Sequence, residues 1–418
     1  MPANIEVTVQ IDGVDVVAGT LFTRASRGVE SSTFRYSSAY LSRPDAYELE
    51  PLLPLSESPN HTPPNTSLFN AFADSAPDRW GRMLMLRAER NRSDTGGSAP
   101  RQLLGLDYLL GVSDFQRQGA LRYRLEGTTD FLGSDETGVP KLISLPALLK
   151  AADAYATDSA TTSDITDLLR AGGSLGGARP KAAVIDRQGR LSIAKFPKAS
   201  EDESWDVIGW EKTALDLARM CGVNAVQGQL VGIGSRHALV VPRFDRNAAQ
   251  RLGYVSALTI LEASDGDTGH GYLDVVEWLA QNSAAAVKDA QELWRRIIFT
   301  IAIGNTDDHL RNHGFLRTPA GWRLSPAFDI NPTPGTEPKF LKTAIGFDDT
   351  RADFGAALNV AGYFSVNDLE AQSILRDTLT GLRKWRAVAH KNGLKNGDID
   401  IMASALNHRT EQLDMKIW

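Results

Sequence analysis

The sequence predicts an α+β fold, with strands early in the chain and helices late. Three observations lead there. Apolar and polar residues alternate through the first 40 positions. A Gly-rich stretch opens into a hairpin pattern at 169–197. From about residue 245 onward the apolar spacing becomes mainly helical. With 418 residues, 42% of them hydrophobic, the chain is too long for one core, so two or three domains are expected.

Taken in order, 6–11 and 15–23 flank a turn at Gly13 and read as a hairpin. Residues 32–41 read as a third strand, and the Pro- and Ser-rich stretch 52–67 as loop. Residues 68–91 read as helix interrupted near Pro77, followed by a Gly/Ser break at 93–100. Helical patches at 101–112 and 144–155 place a boundary near 150. Residues 181–185 and 190–196 form the strands of a hairpin that turns on Asp186-Arg187-Gln188-Gly189. Ser200 and Glu203 match a capping box for a helix over 205–220, and Gly222 suits its end. Residues 228–234 and 238–244 read as another strand pair. The helical remainder is broken by a hairpin at 313–326, turning on Pro319-Ala320-Gly321. The expected domains are 1–150, 151–244 and 245–418.

Composition narrows the function classes. Charged residues make up 23% and aromatics 8%, which excludes a wholly disordered chain. Lys+Arg 45 against Asp+Glu 51 gives −6, which excludes a bulk nucleic-acid coat but permits a local basic face. Cys221 is the only cysteine, which excludes an intrachain disulfide and a Cys-based zinc site. No apolar run approaches the roughly 18 residues of a membrane helix, and the N-terminus lacks a signal-peptide pattern. A soluble, cytoplasmic protein is expected.

Holding ATP sets three requirements. Backbone N–H groups must approach the phosphates, and glycine permits that approach. Gly172, Gly173, Gly176 and Gly177 fall within six residues and lead into a strand, in neither a Walker A nor a GxGxxG pattern. A positive charge must meet the phosphates. Lys195 lies in the second hairpin strand, and Glu211 follows sixteen residues later in mid-helix. A strand lysine held by a helix glutamate is how protein kinases place the α- and β-phosphates. Lys181 is an alternative or additional phosphate-facing lysine. Finally, a carboxylate and metal ligands are needed. Asp307 and Asn312 in GNTDDHLRNHGF have the D-x-x-x-x-N spacing of a kinase catalytic loop. Asp329 in AFDINP follows a hairpin, as a metal-binding Asp does. Asn312 and Asp329 supply the amide and carboxylate oxygens magnesium prefers, and Asp307 would accept a hydroxyl proton. Asp307 and Asp308 otherwise oppose the dipole at a helix C-terminus. His309 and His313 are spaced like a zinc pair but have no third histidine nearby, so His309 is expected to brace the loop by hydrogen bonds.

Seven blocks carry a resemblance: YLSRPDAYELEPLLPLS (40–56), FNAFADSAPDRWGR (69–82), SLGGARPKAAV (174–184), IAKFP (193–197), VVPRFDR (240–246), GNTDDHLRNHGF (304–315) and LSPAFDINP (324–332). At these residues the chain resembles the HipA family, the kinase toxins of bacterial toxin–antitoxin pairs, over most of its length. The resemblance implies a two-lobed, protein-kinase-like fold. It would comprise a β-rich N-terminal subdomain at 1–150, a kinase N-lobe at 151–244 and a mainly helical C-lobe at 245–418. It implies Asp307 as the catalytic residue, Asn312 and Asp329 as magnesium ligands, and Lys195 as the nucleotide lysine. Gly173, Ser174, Gly176, Gly177, Lys181, Glu211 and His309 join the ATP site, with Pro242, Arg243 and Phe244 in the hinge strand beside adenine. Ser174 stands where family members phosphorylate themselves, which ejects the loop and switches the kinase off. Pro180 rigidifies the exit from that loop here.

The implied substrate is a serine or threonine on a protein, the best-known family target being glutamyl-tRNA synthetase, an aminoacyl-tRNA synthetase. The implied partner is a helix-turn-helix HipB-like antitoxin contacted by 1–150, with operator DNA reached through it and no membrane involved. Arg82, Arg87, Arg90, Arg92 and Arg101 form a basic run that is either a DNA contact or a solvated helix face. Residues 331–349 are expected to form an irregular, mobile loop that bears on substrate choice. Two alternatives remain open: a kinase-fold scaffold that binds an antitoxin as co-repressor, and a small-molecule phosphotransferase.

Overall fold

The structure is a computed structural model that describes residues 4–97, 99–133, 139–172, 179–199, 205–347 and 349–417, with only the backbone at Thr95. Gly173, Ser174, Gly176, Gly177, Ser200 and Glu203 lie outside the described residues. The chain divides into two compact units, 1–200 with 242–255, and 201–241 with 256–418. Residues 1–150 and 151–200 thus share one unit, a different partition from the three domains expected. The α+β expectation holds, since both units mix helices with strands.

The first unit is built on an antiparallel sheet of β1 (Asn4–Ile11), β2 (Val14–Ser26), β3 (Val29–Tyr36), β4 (Asn60–His61) and β5 (Leu121–Leu125), in the order β4-β3-β2-β1-β5. The β1–β2 turn places both Asp12 and Gly13 at positive φ, the backbone a two-residue hairpin requires. Ile5, Val7 and Val9 alternate into the core, where Phe34, Phe69, Phe72 and Tyr123 also pack. The third strand stops at Tyr36 instead of 41, because the Ser37 hydroxyl accepts from Tyr40 N and caps a one-turn helix, Ser38–Leu41. The helix Arg79–Gly96 begins on an Asp78 cap and runs to Gly97, whose left-handed φ ends it. It therefore passes the break expected at 93. Its Trp80 and Leu84 pack on the helices Leu145–Ala156 and Thr162–Ala171.

The expected mid-chain hairpin is present as β6 (Lys181–Ile185) and β7 (Leu191–Lys195). Asp186 Oδ1 accepts from Gln188 N and Arg190 N, both at 2.9 Å, and Gly189 takes positive φ.

The second unit holds the helix Val207–Met220, the antiparallel pair β8 (Gln229–Ile233) and β9 (Arg236–Pro242), and most of the remaining helices. The cap of Val207–Met220 is Asp206, which accepts from Gly209 N at 2.9 Å, in place of the expected capping box. The helix Ala286–Ile303 is the core: Leu293, Trp294, Ile297 and Ile298 have no exposure. The hairpin Gly314–Thr318 with Gly321–Leu324 follows, as expected. Among the described residues no helix is long and apolar enough to cross a membrane.

Candidate functional site

The second unit brings together Asp307, Asn312 and the groups that brace them. The helix Ala286–Ile303 terminates on Gly304, at φ +64. A Cβ there would lie 2.4 Å from Arg409 Cζ, so glycine answers both the backbone angle and the space. The chain then turns, and Asn312 Nδ2 donates to Asp307 O at 3.1 Å, closing the five-residue loop. Asn312 is buried, and this bond fixes its amide with Oδ1 as the remaining acceptor.

The two adjacent aspartates have opposite environments. Asp307 is exposed, and its carboxylate Oδ1 lies 2.5 Å from Lys342 Nζ. Asp308 is buried: its Oδ2 accepts from the Tyr272 hydroxyl and from Thr300 Oγ1, its Oδ1 faces His313 Nε2 at 3.1 Å, and its backbone carbonyl accepts from Thr343 Oγ1 at 2.8 Å. Burial alone would raise the Asp308 carboxyl, but the His313 imidazole and the Tyr272 hydroxyl hold it below its ordinary value. Asp308 thus anchors the loop and leaves Asp307 outward. Sequence reasoning missed it. It also assigned the bracing to His309, whose Nδ1 is buried with no hydrogen-bond partner among the described residues.

Asp329 is reached through a fixed segment. Val226 N donates to Ala327 O at 2.9 Å, Ala327 N to Asn224 O at 2.8 Å, and Arg296 Nη2 to Ser325 O at 2.6 Å. Asp329 itself sits at φ +55, a left-handed conformation that costs a non-glycine residue about 1–2 kcal/mol. Asn331 Nδ2 donates to its Oδ1 at 3.3 Å. Hard oxygens from Asn312 and Asp329 fit magnesium, and the orphaned His309 Nδ1 fits a polar ligand. Among the described residues no cluster of three His, Cys, Asp or Glu is placed to hold a metal.

In the first unit, Lys181 and Lys195 stand directly opposite each other in the β6–β7 ladder. Like charges so placed repel. The structure resolves this at Lys181, whose buried ammonium meets Asp78 Oδ2 at 2.8 Å. Burial raises the Asp78 carboxyl and Lys181 opposes that rise. Lys181 thus has a carboxylate partner within the first unit. Lys195 is half-buried at the end of β7, and Glu211 is buried in the helix Val207–Met220.

Arg243, in the expected hinge strand, is held through its side chain. Its guanidinium is buried, with Nε on Asp245 Oδ1 at 2.8 Å, Nη1 on Gln116 O and Nη2 on Arg117 O at 3.2 Å. Pro242 ends β9, and Phe244 lies 6.2 Å from the Tyr254 ring. Arg243 belongs to a buried network with Asp114, Arg117, Arg122, Asp245, Arg246 and Arg251. Burial would raise Asp245, but Arg243 and Arg246 hold it far below the usual carboxylate range. Burial pushes Arg117 down to about 10.

Four arginines of the basic run lie on the helix Arg79–Gly96 and Arg101 follows it, and several have local partners. Arg87 pairs with Asp158, Arg92 with Glu89 and Arg101 with Asp107, while Arg82 lies 4.8 Å over Tyr108.

Comparison with known proteins adds the following. The family described as HipA-like C-terminal domain matches residues 173–405. The protein Y4mE of Sinorhizobium fredii is 26% identical over 213 residues, 44% of this chain and 48% of that protein. The serine/threonine-protein kinase toxin HipA of Shewanella oneidensis is 28% identical over 162 residues, 33% of this chain and 37% of that protein. The chain therefore spans about half the length, or less, of these curated relatives. A chain in the solved complex of Shewanella oneidensis HipA, HipB and operator DNA matches 98% of this chain and 97% of its own length, with TM-score 0.65 and 17% identity. That likeness is one of fold.

Proposed function

Because the chain belongs to the HipA-like C-terminal domain family, we propose that it is an ATP-dependent serine/threonine protein kinase acting as the toxin of a HipA/HipB-like pair. The observation that carries this reading is the outward Asp307, held by a buried Asp308 anchor and an Asn312 amide locked on the same loop. A general base needs an accessible carboxylate on a rigid support, and this loop provides both.

In this reading Asp307 takes the proton of the acceptor hydroxyl. Asn312 Oδ1 and the Asp329 carboxylate would hold magnesium, which neutralises phosphate charge when bound. Lys195, paired by Glu211, meets the α- and β-phosphates, and Gly172, Gly173, Gly176 and Gly177 supply backbone N–H groups to them. Pro242 and Phe244 flank adenine, and His309 Nδ1 donates to the nucleotide. Ser174 is the self-phosphorylated residue. The −1.5 to −2 charge of a phosphoserine beside ATP's own phosphates would repel them and switch the enzyme off. The acceptor is a protein of the translation machinery such as an aminoacyl-tRNA synthetase. The partner is a helix-turn-helix antitoxin that carries the pair to operator DNA, and the setting is the cytoplasm. The match to a chain from a HipA–HipB–DNA complex supports the choice of partner.

Intact-protein and peptide mass spectrometry before and after Mg-ATP, beside Asp307→Ala, tests the reading. Phosphate on the wild type alone, mapped to Ser174, is the expected result. No phosphate on the wild type or on any protein of an added cell extract would favour a scaffold instead.

A further inference from the structure

The segment after Asp329 brings a charged group onto the candidate base. Among the described residues, the Lys342 ammonium, 2.5 Å from Oδ1, is the one partner of the Asp307 carboxylate. An exposed ion pair by itself says little, because such pairs exchange readily with water. The backbone beneath Lys342 says more. Leu341 and Thr343, its neighbours, are 4% and 1% exposed and anchor the chain inward, while Lys342 between them is exposed. Leu341 N donates to Thr350 O at 2.7 Å, and Tyr272 N donates to Ala344 O at 2.9 Å. Thr343 Oγ1 donates to Asp308 O, the carbonyl next to Asp307 in the chain. The lysine is thus held in register with the loop it touches, on a segment expected to be mobile.

We propose, resting on the kinase reading, that Lys342 is the positioning residue for Asp307. Its ammonium holds Oδ1 and leaves Oδ2 for the acceptor hydroxyl. In the transfer step the acceptor oxygen bonds the γ-phosphorus, the bond to the β,γ-bridging oxygen breaks, ADP leaves, and the hydroxyl proton passes to Oδ2. Among the described residues the Asp307 side chain has no other restraint. Without Lys342 its carboxylate samples several rotamers, and a base misplaced by about 1 Å can lose about 100-fold in rate.

The test uses the full chain with Mg and γ-labelled ATP, following self-phosphorylation and transfer to dephosphorylated casein as a generic serine/threonine acceptor. Lys342→Met should lower kcat about 10- to 100-fold with the KM for ATP unchanged. Lys342→Arg should restore most of that rate. Adding Lys342→Met to Asp307→Ala should cause no further loss. Melting temperatures should stay within about two degrees of wild type, since the pair is exposed, and Lys342→Gln serves as a second neutral variant. A Lys342→Met or Lys342→Gln protein with wild-type kcat, a rise in the ATP KM alone, or a folded Lys342→Arg as slow as Lys342→Met would each overturn the proposal. A wild-type protein inactive in every arm would remove the kinase reading, and the positioning role with it.

Discussion

Asp307 and Asp308 are neighbours with opposite tasks, and the difference comes from what reaches each side chain. Asp308 receives Tyr272, Thr300 and His313 and is sealed from water, so its charge is fixed by partners 36, 8 and 5 residues away. Its folded value lies below the ordinary 3.8. The stability this carboxylate contributes is therefore present above 3.8 and is lost as the pH falls through that lower folded value. Asp308→Asn should cost about 1–3 kcal/mol at neutral pH by leaving buried donors poorly matched. It should also flatten the acid limb of stability. Urea unfolding at pH 7 and pH 3 measures both, and an unchanged acid limb would show that another group governs it. The spacing of Asp307 and Asn312 was legible in the sequence because a loop motif is local. The Asp308 anchor was not, because no spacing rule links its partners. The Asp78 partner of Lys181 was hidden for the same reason, lying 103 residues away.

At the scale of elements, local chemistry was readable and tertiary competition was not. The β6–β7 hairpin follows from an Asp-x-x-Gly turn between apolar runs, and the helix Arg79–Gly96 follows from its spacing. The strand β5 was not read from the sequence, although Leu121, Tyr123 and Leu125 alternate with Arg122 and Arg124 as a half-buried strand does. In the folded chain those arginines lie 3.5 and 5.6 Å from the Phe131 ring centroid and pair with Asp114 and Glu6. The end of the helix Ala286–Ile303 gives a direct test. Gly304→Ala should destabilise the protein by at least about 1 kcal/mol from its left-handed φ, with displacement of the Arg409 guanidinium in addition. Thermal melting reads the loss. An unchanged melting temperature would mean that the loop entering Asp307 tolerates a different helix end.

At the scale of the whole molecule, the notable fact is that neither unit is a continuous piece of chain. The first unit is finished by 242–255, which contributes Arg243, Asp245, Arg246 and Arg251 to its buried charge network. A fragment ending at residue 200 would keep the Arg122–Asp114 pair but lose Arg251 from Asp114, Arg243 and Arg246 from the carbonyls of Gln116 and Arg117, and Asp245 from Gly119 N. Each buried polar group left without its partner costs about 1–3 kcal/mol. Fragment 1–200 should therefore lack cooperative unfolding by circular dichroism, and a cooperative transition in it would mean the network is dispensable. The sequence placed a break near 150 from its helical patches; the contacts of residues 242–255 extend the first unit past residue 241.

The same interleaving sets a timetable for synthesis. The stretch from residue 200 to residue 255 must leave the ribosome before the first unit can close around its own charges. At about 5–20 residues per second this is a wait of roughly 3–11 s. Through that interval the carbonyls of Gln116 and Arg117 and the N–H of Gly119 lack their partners while the β1–β5 sheet is already available to form. The N-terminal sheet is then a nascent intermediate with an unfinished side, open to chaperones until the residues after β9 arrive to complete it.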